Sequence, residues 1–323
     1  MTRKQTQKEQ NPFVFSDSNK RYHTYDYYLR RRFGTKVAKL TLDGGFTCPN
    51  IDGTCGTGGC IYCGGNGSGH FTSSRALSIS EQYRAQRAVM QGKWQVERFI
   101  PYFQAHTNTY APLPRLQALF EEALCFPDAV GLNIATRADC LAPDLLDYLK
   151  ALSERTVLTL ELGLQTVHDE TAERINRGHT FEDFLATYRR IREKAPRIRM
   201  GVHLILGLPG ESEEMMLETV RRVAALAPDE IKLHLLYVIE NTVLAEQYQN
   251  GEYQPIKRDD FISLVVRSLE RISPKTVVGR LTGDAPRRTL LAPIWSSNKI
   301  SILNDIDKML QSKNTWQGKF FEE

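Results

Sequence analysis

Three cysteines near residue 50 have a spacing that suits a metal cluster. Cys60 and Cys63 form a C-x2-C pair, and Cys48 lies twelve positions before Cys60. Thiolates are the usual ligands of iron–sulfur clusters, and a four-iron cluster held by only three of them keeps one iron open for another ligand. We therefore predict that Cys48, Cys60 and Cys63 hold a [4Fe–4S] cluster.

The backbone around these cysteines suits close wrapping of such a group. The stretch LDGGFTCPNIDGTCGTGGCIYCGGNGSGHF contains ten glycines between Gly44 and Gly69. So many glycines rule out a helix or a regular strand and leave a supple loop. The loop directly follows a predicted strand, at the end where a barrel of parallel strands places its chemistry.

Two alternatives use the same loop. A structural zinc ion could take the four thiolates of Cys48, Cys55, Cys60 and Cys63. A zinc ribbon, however, normally uses two C-x2-C pairs, and this loop has one. In the second alternative, Cys55 replaces one of the three cluster ligands. The remaining cysteines, Cys125 and Cys140, are predicted to be small buried residues.

Short β-branched or apolar runs alternate with longer helical patterns through most of the chain, which is typical of βα units around a parallel sheet. The predicted strands are Val37–Leu42, Arg98–Phe103, Ala129–Ala135, Thr156–Leu162, Ile198–Leu206 and Ile231–Val238. Helical segments are predicted to begin near Ser80, Pro114, Pro143, Phe181 and Ser212, and after Lys257. We predict an α/β fold, a partial (β/α)6 TIM-like barrel that binds ligands at the carboxyl ends of its strands.

The predicted barrel spans residues 20–273. Residues 1–19 are predicted to be a flexible tail, because the first ten are polar and lack an apolar pattern. Residues 274–323 are predicted to be a C-terminal extension that packs on the barrel. No stretch approaches the roughly 18 apolar residues of a membrane span, so a cytoplasmic protein without membrane contact is expected. In that reducing compartment, six cysteines favour a metal site over disulfides.

Positive charge is concentrated near the amino terminus. Residues 1–40 contain ten Lys and Arg against three Asp and Glu, a net charge of +7, whereas the whole chain carries +4. The side chains predicted to contact nucleic-acid phosphates are Arg30, Arg31, Arg32, Lys36 and Lys39. A second group that could assist is Arg280, Arg287 and Arg288. A solvated face without a ligand remains the alternative.

With its loop and strand motifs taken together, the chain resembles the radical S-adenosylmethionine (SAM) superfamily, and more narrowly the YhcC/YtqA-type family with an Elongator-like core. The pattern LD-x-G-F-x-CPN-x-DG followed by GGC-x-[FY]C matches Leu42–Cys63, and Cys55 sits where it does not demand cysteine. The motifs ELGLQT, INRGHT, GVHLILGLPGE and KLHLLYVIENT follow in order, so the resemblance covers about Tyr22 to Gly318. It implies that the reduced cluster cleaves SAM to methionine and a 5′-deoxyadenosyl radical.

The resemblance also implies residues that bind SAM. Gln165 would meet the adenosyl ribose, and His203 would bond the ribose hydroxyls. Arg177 would pair with the methionyl carboxylate, because a guanidinium can bind that group bidentately. Three further candidates, each with a structural role as the alternative, are Glu161, Gln104 and His234.

The Elongator-like motifs imply that tRNA is the substrate. The implied reaction changes the carbon-5 side chain of the wobble uridine, from carboxymethylaminomethyl-uridine to aminomethyl-uridine. An electron donor such as flavodoxin or ferredoxin would reduce the cluster, and a methyltransferase could act on the product. The alternatives are a HemN-like enzyme that acts on a small molecule and a non-enzymatic, zinc-bearing RNA-binding module.

Overall fold

The described residues of the protein, in a computed structural model, are 11–64, 76–284 and 287–322. Residues 1–10 of the predicted tail and residues 65–75 of the predicted glycine-rich loop lie outside them. Phe13 is buried, and the Asn11 side-chain amide donates to the Lys20 carbonyl at 2.9 Å. The chain therefore packs from residue 11 onwards, within the segment predicted as a tail.

Parallel strands form the main sheet of the described chain. Their bounds are β1 Val37–Leu42, β2 Arg98–Phe103, β3 Gly131–Arg137, β4 Val157–Gln165, β5 Arg199–Leu206, β6 Glu230–Leu235 and β8 Val277–Arg280. Seven strands lie in the order β1-β2-β3-β4-β5-β6-β8. A separate antiparallel pair joins β7, Val238–Ile239, to β9, Leu290–Ala292.

Helices connect and flank these strands. Their bounds are α1 Tyr25–Phe33, α2 Ile79–Lys93, α3 Leu113–Leu124, α4 Pro143–Arg155, α5 Asp169–Arg174, α6 Phe181–Lys194, α7 Glu213–Ala224, α8 Val243–Gln249, α9 Arg258–Leu269 and α10 Lys299–Ser312. Helices α2, α3, α4, α6, α7 and α9 begin within one residue of their predicted starts. Among the described residues, no helix combines the length and the apolar character needed to cross a bilayer.

Local sequence explains where the helices next to the site begin. Thr180 accepts a hydrogen bond from the backbone of Asp183, whose side chain bonds back to Thr180, and this capping box starts α6. Ser78 and Glu81 form the same motif at the start of α2. Each cap satisfies amide groups that the first helical turn would otherwise leave unpaired.

The bounds of β3, β4, β5 and β6 differ from the prediction. β4 extends to Gln165, and β6 ends at Leu235 although the predicted strand continued to Val238. The run from Ile231 to Val238 contains no Gly, Pro or other turn residue, so its pattern cannot show the break that separates β7. β8, from the predicted extension, pairs with β6 as a seventh strand.

The chain divides into two compact units. The first comprises Met1–Tyr28, Gln165–Ile175 and Val202–Glu323; the second comprises Leu29–Leu164 and Asn176–Gly201. Fully buried residues of the first include Leu204, Leu233, Phe261 and Ile302. Those of the second include Leu40, Phe99, Leu132 and Leu160. The predicted domain boundaries at residues 19 and 273 remain a prediction.

The strands of the second unit have one apolar face and one polar face. Leu158, Leu160, Leu162 and Leu164 of β4 are buried on one side. Because side chains alternate along a strand, Glu161 points to the other side. There it bonds Lys39 of β1 and Asn133 of β3. We call this side of β1 to β4 the polar face.

Candidate functional site

The three predicted cluster ligands share one environment in the loop after β1. Cys48, Cys60 and Cys63 are half-buried, whereas Cys55 is exposed. The Cys63 N–H donates to the Cys60 carbonyl at 2.9 Å, which closes a turn between these two residues. Burial first, and then the nearby Cys60 and Cys48, raises the pKa of Cys63 to about 12. The loop therefore gathers three thiols away from bulk water.

This donor set fits an iron–sulfur cluster. Burial also raises the pKa of Cys60, so neighbouring thiolates here would be costly without a cation among them. Iron supplies that charge, and thiolates are its ligands in such clusters. Three thiolates from one loop fit a cluster in which each thiolate binds a different iron.

Two asparagines fasten the cysteine loop to the segment before α6. Asn50 is fully buried, and its Nδ2 donates to the Asn176 carbonyl and lies 3.8 Å from Cys60 Sγ. Asn176 donates in return to the carbonyls of Thr57, at 3.0 Å, and Gly59, at 2.7 Å. We call Asn50 and Asn176 the asparagine clamp. It fixes the loop from both sides and places an N–H beside one sulfur.

Two glycines make room for the asparagine clamp. A Cβ on Gly56 would lie 2.3 Å from Asn50 Oδ1, and one on Gly178 would lie 2.9 Å from it. Gly178 also has a positive φ of 78°, which disfavours other residues. Asn50 Oδ1 itself is buried without a hydrogen-bond partner among the described residues.

Arg137, at the end of β3, ties the same segment to the sheet. Its Nε and Nη2 bond the Asp139 carboxylate at 2.9 and 2.7 Å. Its Nη1 donates to the Arg177 carbonyl at 2.6 Å. The Arg137 charge acts to lower the pKa of Cys60, against the larger effect of burial. Arg137 therefore both holds the segment and favours a thiolate at Cys60.

Arg177 is buried in this segment with its guanidinium against backbone carbonyls. Only 1% of the residue is exposed. Nη1 donates to the Leu164 carbonyl at 2.5 Å, and Nε and Nη2 donate to the His179 carbonyl at 2.9 and 2.7 Å. Burial first, and then the charges of Arg177 and Arg137, lowers the pKa of His179 to about 4, so its imidazole is neutral near pH 7. The segment thus concentrates positive charge next to the cysteine loop.

Glu161 and Lys39 form an ion pair on the polar face. Lys39 Nζ lies 2.8 Å from Glu161 Oε1, and Asn133 Nδ2 donates to the same oxygen at 2.8 Å. Glu161 is fully buried, and Lys39 Nζ also lies 5.0 Å from the centre of the Tyr102 ring. Lys39, predicted among the phosphate contacts, is thus engaged within the second unit.

Gln104 directly follows β2 and is half-buried. Its backbone N–H donates to the Leu42 carbonyl at 3.1 Å, which joins the ends of β1 and β2. This residue therefore lies at the carboxyl end of the sheet, where its candidate role requires it to be.

In the first unit, Gln165 ends β4 with a φ of 66°. This left-handed conformation costs a non-glycine residue roughly 1 to 3 kcal/mol and tends to occur at functional sites. The His203 and His234 rings lie together, with their centres 5.2 Å apart. Gly207, after β5, has a φ of 91°, and its carbonyl accepts from the Tyr253 hydroxyl at 2.8 Å.

The remaining basic candidates lie mostly at the surface. Arg30, Arg31 and Arg32 are exposed in the last turn of α1. Lys36 lies over the Trp94 ring, with Nζ 4.4 Å from its centre. In the second basic group, two arginines are exposed and Arg280 lies 3.8 Å from Asp284. The arginines of both basic groups thus lie mostly at the surface.

Several residues of the site were not singled out from the sequence. They are Asn50, Asn133, Arg137 and Asn176. Asn50 and Arg137 lie in the motifs CPN and ATRADC at strand ends, which is the signal that could have identified them. The prediction for Cys125 is wrong: it is exposed, because it follows the last turn of α3, and Cys140 is half-buried.

The family model described as Radical SAM superfamily matches residues 51–223, and the Radical_SAM C-terminal domain model matches residues 228–312. The chain belongs to the radical SAM superfamily. Radical SAM proteins use a [4Fe–4S] cluster and SAM, and these are the cofactors of this enzyme. This membership argues against the non-enzymatic zinc module.

Among relatives, this radical SAM chain is 45% identical to protein YtqA of Bacillus subtilis, with 97% of each chain covered. It is 37% identical to protein YhcC of Escherichia coli, over 87% of this chain and 90% of that protein. The predicted YhcC/YtqA-type family is therefore confirmed. A tRNA uridine(34) acetyltransferase of Methanocaldococcus jannaschii is 31% identical over 174 residues, which are 52% of this chain and 31% of that protein.

A solved structure supports the fold of this radical SAM chain. The archaeal Elp3 of Methanocaldococcus infernus superposes with a TM-score of 0.66 at 17% identity, over 87% of this chain and 64% of that chain. At this identity the likeness concerns the fold alone. It confirms the predicted α/β partial barrel.

Proposed function

We propose that this radical SAM enzyme modifies the wobble uridine of tRNA, converting the carbon-5 side chain of carboxymethylaminomethyl-uridine to aminomethyl. The observation that carries the proposal is the identity with a tRNA uridine(34) acetyltransferase over half of this chain. The likeness covers 31% of that protein's length, so it concerns a part of that protein and not the whole. A shared part of this length supports a common substrate class.

Surface charge supports an RNA substrate. Arg30, Arg31 and Arg32 are exposed in one helical turn, where three guanidinium groups can meet successive phosphates. Exposed arginines suit this role because their planar donors bind phosphate oxygens in pairs. Lys39 is left out of this group, since it is paired with Glu161.

When bound, the cluster and SAM would supply a 5′-deoxyadenosyl radical that takes one hydrogen atom from the methylene carbon next to the carboxylate. Loss of a further electron to an electron carrier would give an imine, and its hydrolysis would release the two carbons as glyoxylate and leave the primary amine. Cys48, Cys60 and Cys63 would each hold one iron of the cluster. Arg177 would bind the methionyl carboxylate, with the Arg137 bond to its carbonyl holding it in place. Gln165 and His203 would hold the adenosyl ribose.

We further propose two partners in the reaction sequence. A low-potential electron carrier such as flavodoxin or ferredoxin would reduce the cluster. A methyltransferase would act on the primary amine that the reaction exposes. The proposed setting is the cytoplasm, where tRNA and both partners occur.

The test is direct assay on tRNA. The protein is reconstituted anaerobically with iron and sulfide, then incubated with SAM, dithionite and tRNA from a strain that lacks the gene. Mass analysis of the wobble nucleoside should show loss of carboxymethylaminomethyl-uridine and gain of aminomethyl-uridine. The matched control is the protein with alanine at Cys48, Cys60 and Cys63, which should leave the tRNA unchanged.

Formation of 5′-deoxyadenosine beside an unchanged wobble nucleoside would refute the tRNA proposal and leave the radical chemistry standing. A HemN-like enzyme that acts on a small molecule would then become the leading hypothesis. Profiling of small metabolites in the deletion strain would identify the compound that accumulates.

A further inference from the structure

A charged group of side chains on the polar face is given no role in the reaction proposed above. Lys39 and Glu161 pair at 2.8 Å, and Asn133 bonds the same carboxylate oxygen. Glu161 is fully buried, and the Lys39 side chain is 19% exposed. Burial of an ion pair removes both charges from water, and the attraction between them often does not offset this desolvation free energy. A pair of apolar side chains would therefore stabilise the fold as well or better. The charged group therefore calls for a role beyond stability.

These three residues lie on the strands that carry the radical chemistry. Lys39 precedes the last residue of β1 by three positions, which is roughly 10 Å along the strand. The cysteine loop begins where β1 ends, and Arg137 ends β3 on the face that carries Asn133. The parallel register that pairs Tyr102 with Asn133 and Ala135 with Glu161 brings these groups onto one surface. A substrate group bound on this face would lie beside the middle of the strands, on the amino-terminal side of their carboxyl ends.

We propose that Lys39 and Glu161 bind the carboxymethylaminomethyl group itself. This inference rests on the proposed function. The group is an N-substituted glycine, with a carboxylate and a secondary ammonium separated by one carbon. Lys39 Nζ binds the carboxylate, and the Glu161 carboxylate, held by Asn133, binds the ammonium. The carbon between these two charged groups is thereby fixed in position.

The exchange of partners explains how a buried ion pair can open. Lys39 exchanges the Glu161 carboxylate for the substrate carboxylate, and Glu161 exchanges Lys39 for the substrate ammonium. Neither charge therefore remains buried without an opposite charge beside it. The product, aminomethyl-uridine, keeps the ammonium but lacks the carboxylate. Lys39 therefore distinguishes substrate from product, whereas Glu161 recognises both.

The test measures binding without turnover. Anticodon stem-loop RNAs carrying either carboxymethylaminomethyl-uridine or aminomethyl-uridine are titrated into the reconstituted protein with SAM but without reductant. The wild-type protein should bind the carboxylate-bearing RNA at least about tenfold more tightly. Lys39→Met should abolish this preference by weakening only the carboxylate-bearing RNA. Glu161→Gln should weaken both RNAs.

The matched control is Arg197→Met, which breaks an exposed pair with Glu154 in the same unit and should keep the preference. A second measurement needs no substitution: the methyl ester of the carboxymethylaminomethyl group has no negative charge, and the wild-type protein should bind its RNA as weakly as the aminomethyl RNA. Iron content and SAM cleavage without RNA show that each variant is folded and loaded.

The outcomes separate this assignment from the proposed function. If the wild-type protein converts tRNA, two results would overturn the assignment alone. One is an unchanged binding preference in Lys39→Met, and the other is no loss of affinity for the RNA that carries the methyl ester. Equal weakening of both RNAs by Lys39→Met would also overturn it, because a purely structural ion pair predicts that result. Failure of the wild-type protein to convert tRNA would overturn both.

Discussion

Cys60 in the loop after β1 lies among fixed hydrogen-bond partners, whereas Arg30 and Arg31 at the end of α1 lie exposed to solvent. In the loop, Asn50 and Asn176 bond across more than a hundred residues of sequence, so the position of each sulfur depends on distant parts of the chain. At the end of α1, each charge acts largely through attraction that does not need one geometry. Loss of the sulfur ligands in the loop should therefore abolish function, whereas loss of charges in α1 should reduce it in steps.

The largest effect should come from removal of the sulfur ligands. Alanine at Cys48, Cys60 and Cys63 together should abolish iron binding and SAM cleavage, because an iron–sulfur cluster depends on its thiolates. Iron and sulfide analysis and 5′-deoxyadenosine production measure both losses. Cys55→Ala is the control within the same loop and should retain both, since Cys55 is exposed. Equal loss in the control would favour the alternative in which Cys55 is a ligand of the cluster.

Arg177 should have the next largest effect. Arg177→Met removes a buried charge-assisted bond, which should weaken SAM binding by about 100-fold while iron is retained. Arg177→Lys keeps the charge but loses the planar fork, so about a tenfold loss is expected. Equilibrium dialysis with labelled SAM on the reconstituted protein gives both values, and circular dichroism checks the fold. Unchanged SAM affinity in Arg177→Met would remove this residue from the proposed SAM site.

Removal of charge at the end of α1 should weaken tRNA binding in steps, by an amount that depends on the salt concentration. Glutamine at Arg30, Arg31 and Arg32 should weaken tRNA binding and flatten its dependence on salt, by about 0.7 to 0.9 in log–log slope for each phosphate that the variant no longer neutralises. Filter binding at several salt concentrations measures the slope. The charge-matched control carries glutamine at Lys150, Arg155 and Arg197, which are also exposed. The same slope in both proteins would show that α1 makes no phosphate contact.

The sequence was informative where the pattern is local. The bounds of β1 and β2 match the prediction because most residues of both runs are apolar or β-branched and both runs end at polar or glycine-rich turns. The C-x2-C pair can likewise be recognised from residues that are close together in the chain. Lys39 shows the limit: a charge count groups it with Arg30 to Arg32, although Ala38 and Leu40 on either side are buried. That alternation places Lys39 on the opposite face, but its partner Glu161 is 122 residues away and only the fold reveals it.

The smallest expected effect comes from Asn50, which lies in the loop but is not one of the three proposed cluster ligands. Asn50→Ala should not remove the cluster, because all three thiolates remain, but it deletes the N–H beside Cys60 Sγ and the bond to the Asn176 carbonyl. Partners of metal ligands typically contribute about tenfold or more in metal affinity, so iron should be lost faster to a chelator. The reduction potential should also fall, because a donor to sulfur favours the more negative, reduced cluster.

Chelator kinetics and a redox titration followed by EPR measure the two effects of Asn50→Ala. The control is Thr54→Ala, an exposed position in the same loop that bonds Asp52 and Tyr110 rather than a cysteine. General loosening of the loop would speed iron loss in both variants and leave the potential unchanged. A lowered potential in Asn50→Ala alone would assign the effect to the hydrogen bond at the sulfur. The buried loop would then act on the electronic properties of the cluster as well as on its position, which an exposed cationic turn cannot do.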